Sequence, residues 1–566
     1  LRCARHRAHG TSVNAASTPA PTPRAGYSLT SLVGLGLRAR LARRRRRLGD
    51  ERYWAAHTKR LQIAQLRENT ARCVETSLGR EHDFARLGRI DDDDAFLAAY
   101  RAAVPVTDWY GIKDRVASMR DEGRPDVLWR GRVGRFAQTS GTTGGDKYIP
   151  VSDEMMRSNY LASLDIFAHL LNRGVAPERI MGGRCLFLGG STDLSYNEHG
   201  IATGDLSGLV TPMIRWPLSA IYSPGPAVAL MSHWPSKIDA MARVAIDQDI
   251  RFISGMPSWA LVLVDRVLEL ARQRGAGASC AADIWPNIEV MVHGGVKYGP
   301  FTARMNSAFF GDPTTDFPAR HELYPASEGF IAMQDRTGSP SMRLLTDNGI
   351  FFEFIERARI DDENPKAHAC WEVEQGVQYV VVLSTNAGLW RYTIGDVVEF
   401  DSVPSSSGRG GGNPARLRIV GRHTHFINAF GENLIGEHIE EGVARAAAAS
   451  GVEVGEFTAA PVYPSEGARA GLELAIEFHT ARDPGTVARF ADAFDRAVRA
   501  INIDYDTKRT DSLGMAPPTV TALAPGVFHA WMERSGKLGG QHKCPRCANG
   551  RDIIDGVLDA ASCGAR

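Results

Sequence analysis

Three short apolar runs, "RCLFLGG", "IRFISG" and "IEVMVHGG", are separated by stretches whose apolar residues recur every three or four positions, such as "PSWALVLVDRVLELARQRG". Strands that alternate with helices build a parallel or mixed sheet with helices on its faces, so the pattern predicts an α/β fold. Beyond Gly349 the texture changes. "IFFEFIE", "QYVVVLST" and "LWRYTIGDVVEF" follow closely as strands, with "NAG" as the turn between the last two. Past Arg422, a helical "GEHIEEGVARAAAAS" and a strand-like "LELAIEFH" predict a smaller α+β unit. A chain of 566 residues is too long for one ordinary core. The expected division is a basic leader over 1–50, a large unit over 51–421 and a small unit over 422–566, with the boundary near Gly421 to Thr424.

The leader carries no Asp or Glu before Asp50 and holds the run Arg43 to Arg47 beside a Pro/Ala/Thr stretch. That composition predicts a disordered basic arm; an organelle transit peptide and a nucleic-acid tether are the alternatives. The whole chain is nearly balanced at +1, which argues against a surface built for nucleic acid. No apolar run approaches the ~20 residues of a membrane span. Eight scattered cysteines make no disulfide framework. The expectation is a cytoplasmic protein with reduced thiols. Cys544 and Cys547 form the one close pair, near His542 and Cys563, and a structural zinc site is the less favoured reading of them.

Between Thr139 and Lys147 stands "TSGTTGGDK", with three glycines, hydroxyl side chains, one lysine and no large apolar residue. Glycines let backbone approach a ligand closely, and hydroxyls, N–H groups and an ammonium offer donors to anionic oxygens. A phosphate chain fits; a flexible surface turn is the bland alternative. The loop is not of the NTPase P-loop type, because Lys147 lies between Asp146 and Tyr148 rather than between Gly and Ser or Thr. Ser152 then follows as an N-cap for "DEMMRSNYLASLDIFAHLLNRG".

Three further segments are informative. In "ELYPASEGF", Glu328 is a carboxylate able to hold Mg²⁺ near a triphosphate, and the ring of Tyr324 can cover a purine. In "GLWRYTIGDVV", Asp396 at a strand can take ribose hydroxyls. In "SGKLGGQHKCPR", Lys537, Lys543 and Arg546 sit among glycines, where a mobile cation could reach developing negative charge. Each has an ordinary alternative, as a loop acid, a turn acid and a basic surface tail.

In order and spacing these segments resemble the adenylate-forming superfamily, and more narrowly the GH3 auxin-responsive family of acyl-acid amido synthetases in its bacterial-type form. "IVGRHTHFINAFGENLIGEHIEE" resembles the interdomain hinge of that family, and "FISGMPSW", with Trp259, looks like a frame for the acyl pocket. The chain departs from the superfamily at Thr424 and Asn428, where Asp and Lys are common.

The resemblance implies a large adenylate-forming domain and a smaller mobile domain. It implies ATP and Mg²⁺, with small-molecule acyl acid and amine substrates and neither a specific nucleic acid nor a membrane as partner. The reaction implied is acyl-AMP formation followed by transfer to an amine, here expected to be an amino acid. An acyl-CoA ligase and a nucleotide-binding protein without turnover are the alternatives. On that basis Ser140, Gly141, Thr142 and Thr143 hold phosphates, with Lys147 at the loop's edge. Glu328 binds Mg²⁺, Tyr324 contacts adenine, Ser327 adds to the nucleotide site, and Asp396 with Arg422 takes the ribose. Lys543 is the mobile catalytic lysine, with Lys537 as the alternate.

Overall fold

The computed structural model describes residues 29–140, 146–189, 194–211, 214, 218–231, 234–295, 298–404, 412–422, 426–427, 434–462, 471–480, 482–502, 505–506, 509, 515–536, 543–548 and 550–564. It is a mixed α/β protein, as the alternating pattern predicts.

Helices α1 (Leu29–Gly49) and α2 (Glu51–Arg72) come first. The strands β1 (Arg135–Ser140) and β2 (Asp146–Pro150) pair antiparallel, with Thr139 opposite Lys147. Helix α3 (Asp153–Asn172) starts as expected at Ser152, whose hydroxyl accepts the Met155 N–H at 3.0 Å, and Gly174 turns the chain away at φ 86°. The parallel core of the main sheet is β3 (Arg184–Phe187), β4 (Ile250–Ser254), β5 (Val290–Gly294) and β6 (Ala319–Ala326), with helix α4 (Pro257–Gln273) between β4 and β5. Helix α5 (Thr302–Phe310) connects β5 to β6.

From β6 the sheet continues in antiparallel steps. These are β7 (Gly329–Met333), β8 (Met342–Leu344), β9 (Ile350–Glu356), β10 (Gln378–Thr385), β11 (Tyr392–Pro404) and β12 (Gly412–Arg422). Twelve strands form this sheet among the described residues, in the order β9-β10-β11-β12-β8-β7-β6-β5-β4-β3, with Ala367–Ala369 and Tyr222–Ser223 at the edges. The order explains how segments far apart in sequence meet. β12 folds back between β11 and β8, so the "GDVV" strand and the "YPASEG" strand lie in one sheet.

After β12 come helix α6 (Gly436–Ser450), β13 (Val454–Val462), β14 (Gly471–Phe478), helix α7 (Pro484–Ile501), β15 (Thr519–Leu523) and helix α8 (Val527–Arg534). β13, β14 and β15 form their own three-stranded sheet. Its core is separate, built on Val443, Phe457, Leu474, Ile476, Phe490 and Phe494.

The leader differs from the expected disordered arm. Residues 29–49 form α1, and its charges explain why composition misleads. Arg44 donates to Asp165 on α3 at 2.6 Å and to Asp347 at 2.5 Å, while Leu41 and Leu48 are buried on either side. Gly34 lets the helix cross the segment Pro177–Ile180 backbone to backbone. A basic run is a solvated arm only while carboxylate partners are absent, and here the fold supplies two of them to Arg44. Residues 1–28 lie outside the described part. Among the described residues no helix is long and apolar enough to cross a membrane.

Candidate active site

The C-terminal ends of β5 and β6 open into a cavity of about 730 Å³, floored by the main sheet and roofed by α6, α8 and residues 543–547. Its size and mixed polar and apolar lining are those of a small-molecule site.

The β6–β7 hairpin builds one wall. Ala326 pairs with Gly329, so Ser327 and Glu328 form its two-residue tip. Gly329 has φ 140°, which strains any side chain there, and a Cβ would also press on Ile350 Cδ1 at 2.7 Å. Glu328 is half-buried and Ser327 buried; both line the cavity. Tyr324 also lines it, yet its side chain is almost wholly buried and its hydroxyl donates to Asp396 Oδ2 at 2.6 Å.

Asp396 is placed by the second wall. Trp390 Nε1 donates to the Leu128 carbonyl at 3.0 Å, and Arg391, at φ 43°, is held by Glu353 at 2.9 Å and by the Val104 carbonyl at 2.8 Å. That anchored turn starts β11. Gly395, at φ 83°, precedes Asp396, whose ladder partner is Arg422 on β12. The Arg422 side chain lies outside the described residues.

Lys543 comes from the small unit. Its Nζ donates to the carbonyl of Gly295, just past β5. The residues after it fix its base against β13. The Ala459 N–H donates to the Arg546 carbonyl and the Ala548 N–H to the Ala459 carbonyl, both at 3.0 Å, and Thr458 donates to the Pro545 carbonyl at 2.7 Å. Arg546 pairs with Glu456 at 2.6 Å and lies over the Phe457 ring. Cys544 and Cys547 are buried reduced thiols, packed in two apolar clusters on either side of this segment. Among the described residues no three His, Cys, Asp or Glu side chains converge as a metal site. His542 and the Cys563 side chain lie outside them.

The structure thus brings Tyr324, Ser327, Glu328, Asp396 and Lys543 to one cavity, with Lys147 at its edge. Ser140 ends β1, but its side chain, together with Gly141, Thr142, Thr143, Lys537, Thr424 and Asn428, lies outside the described residues. Trp259, in the first turn of α4, is half-buried against the core beneath that helix.

Several lining residues were not singled out in the sequence. His293 on β5 is buried with Nδ1 unpartnered, and burial pushes its pKa down to about 3, so the ring is neutral. Its ring lies 4.6 Å from that of Tyr298, tilted by 35°, and the Arg320 guanidinium lies over the Tyr298 ring at 4.2 Å from its centroid. Arg418 on β12 ties the sheet to the start of α6 through Glu437 at 3.0 Å. The double glycine in "VMVHGG" was the available signal for this strand end.

Among the described residues no three-ligand metal cluster stands beside the turn that carries Glu328, and a carboxylate so placed suits Mg²⁺, which keeps waters and shares its shell with phosphates. The cavity volume also suits a nucleotide.

The GH3 family N-terminal domain matches residues 53–223, the central domain 343–408 and the C-terminal domain 437–552. The indole-3-acetic acid-amido synthetase GH3.8 of Oryza sativa subsp. indica is 22% identical over 531 residues, covering 82% of this chain and 85% of that protein. The indole-3-acetic acid-amido synthetase GH3.3 of Arabidopsis thaliana is 21% identical over 316 residues, 53% of this chain and 50% of that one. Among solved structures, AtGH3.15 acyl acid amido synthetase in complex with 2,4-DB shares the fold with a TM-score of 0.71 at 16% identity, covering 94% of this chain and 96% of that one. Three domain matches in order span more than half of the sequence, and the fold is shared nearly end to end: the chain belongs to the GH3 family.

Proposed function

We propose that this protein activates a carboxylic acid with ATP and transfers the acyl group to an amine, an amino acid, forming an amide. A carboxylate resists aminolysis because its leaving group would be oxide. In the first step a carboxylate oxygen attacks the α-phosphorus, the bond to the β-phosphate oxygen breaks, and pyrophosphate leaves. In the second, the amine nitrogen attacks the acyl carbon, the acyl–oxygen bond breaks, AMP leaves, and the nitrogen loses a proton.

The phosphoryl step needs positioning and charge neutralisation. Ser140, Gly141, Thr142 and Thr143 would receive phosphate oxygens. Asp396, oriented by Tyr324 and opposite Arg422, would take the ribose hydroxyls. Ser327 and Glu328 lie at the phosphate end, where Glu328 would hold Mg²⁺; the metal neutralises phosphate charge when bound. The burial of Tyr324 favours a role in orienting Asp396 beside any edge contact with adenine. Lys543 would meet the charge that grows as pyrophosphate departs.

The observation that carries this reading is the seat of Lys543. A lysine from the small unit reaches the cavity wall that also holds Glu328 and Asp396. The test is acid-dependent pyrophosphate release with ATP, Mg²⁺ and a panel of acyl acids, with hydroxylamine as trap. Hydroxamate and pyrophosphate together, lost in Glu328→Ala and Lys543→Ala, are expected. Amide formation with amino acids but no thioester with coenzyme A would then define the acceptor. ATP binding without release under any acid would overturn the proposal in favour of a nucleotide-binding protein without turnover.

A further inference from the structure

Besides Lys543 on Gly295 and Glu437 on Arg418, the small unit meets the large one through His479. Arg304 on α5 places Nη1 2.5 Å from Nε2 of His479, the residue after β14, and its Nη2 lies 3.3 Å from Asp265 on α4. We infer that the Arg304–His479 contact is a latch that positions Lys543 over the cavity, an inference that rests on the proposed adenylation.

The argument is mechanical. A body held at few points can still rock about them, and each further separated contact removes part of that freedom. The Lys543 and His479 contacts fall close together on both units. On the large unit, Gly295 and Arg304 flank the turn Gly299–Phe301. On the small unit, β14 leads into His479 and pairs with β13, which carries the Lys543 segment through Ala459. Displacing His479 therefore displaces the strand pair on which Lys543 is mounted.

The site is built to hold the imidazole. Its own backbone N–H donates to the Glu453 carbonyl at 2.8 Å. A Cβ on Gly455 would stand 2.7 Å from His479 Nε2 and 2.9 Å from Glu477 Oε2, so only glycine leaves room there. The groups facing the ring are Arg304, with Asp265 behind it, and the Glu477 carboxyl on β14. Burial, reinforced by Arg304, pushes the His479 pKa down to about 4. The ring is therefore a neutral acceptor for the guanidinium.

The test combines a kinetic cycle with a geometric measurement. His479→Ala and Arg304→Ala should each lower the kcat of acid-dependent ATP–pyrophosphate exchange about tenfold, with KM for ATP within about twofold, since one charge-assisted contact is lost. In a Lys543→Ala background neither should lower it further, because the latch acts through that lysine. His479→Gln, which keeps an acceptor, should recover most of the rate, and that recovery separates positioning from loss of fold. Nitroxide labels on exposed Gln273 and Arg445 should give a narrow distance distribution in the otherwise unaltered protein and a broad one in His479→Ala. Additive losses, an effect confined to KM for ATP, or a distribution that stays narrow would each overturn the inference. If no acid supports exchange in the unaltered protein, the adenylation reading fails, and the distance measurement still decides the latch.

Discussion

The hydroxyl of Tyr324 donates to Asp396 Oδ2 at 2.6 Å, joining β6 to β11 across the intervening strands of the sheet. Both side chains are buried, so the bond fixes the orientation of the Asp396 carboxylate. Tyr324→Phe removes the donor without removing the ring. The expected outcome is an ATP KM raised about tenfold with kcat little changed, since a hydrogen bond to a charged group contributes about 1.5–3 kcal/mol. Steady-state exchange kinetics check it; an unchanged KM would dissociate Asp396 from nucleotide binding.

Lys543 and Gly295 give the second prediction. Lys543→Ala should lower adenylation kcat by about 10²–10³-fold, the cost of removing one preorganised donor to developing charge. Gly295→Ala acts on the same contact from the other side. Its φ is 82°, and an added Cβ would fall on the Lys543 ammonium. The flexible lysine end must move, so Gly295→Ala should lose part of the same rate, about tenfold, while melting only slightly earlier. Full activity in Gly295→Ala would show that the seat is unimportant.

Local chemistry was readable where it is local. Ser152 caps α3 because a hydroxyl at that position always finds the N–H three residues on, and "NAG" turns because its strands alternate on either side. Glu328 and Asp396 could be picked out as acids at strand ends. Their meeting with Lys543 was expected only through the resemblance, since the residues alone do not show it: it depends on β12 folding back between β11 and β8 and on residues 248 positions apart. Arg44 is the clearest failure. Its partners Asp165 and Asp347 lie 121 and 303 positions away, and without them five consecutive arginines look like a solvated tail.

That ion pair network supports a third prediction. Arg44 bridges a buried Asp165 and a half-buried Asp347 and lies over the Trp54 ring. Arg44→Leu leaves both carboxylates without their shared cation, and breaking such a pair costs about 3–5 kcal/mol when fully buried; the partial exposure here makes about 2–3 kcal/mol the expectation. Chemical denaturation should register it. Adding Asp165→Asn should recover part of the loss, whereas deleting residues before Glu51 should destabilise at least as much, because Leu41 and Leu48 leave with the helix.

Glu477 supplies a pH dependence that no active-site group would mimic. It lies buried on β14, where its Oε1 accepts the Phe528 N–H at 2.9 Å. Burial raises its pKa from 4.5 to about 7 even though backbone donors favour the ionised form. The folded protein therefore keeps a proton that the unfolded chain releases above pH 4.5. Its contribution to stability is fully present below that pH and is lost as pH rises through 7, a change on the order of 3 kcal/mol. Glu477→Gln retains the oxygen that accepts from Phe528 but cannot ionise. Denaturant unfolding at pH 5 and pH 8 should show the unaltered protein losing that stability relative to the variant. Parallel pH profiles in the two proteins would mean that Glu477 ionises normally in the fold.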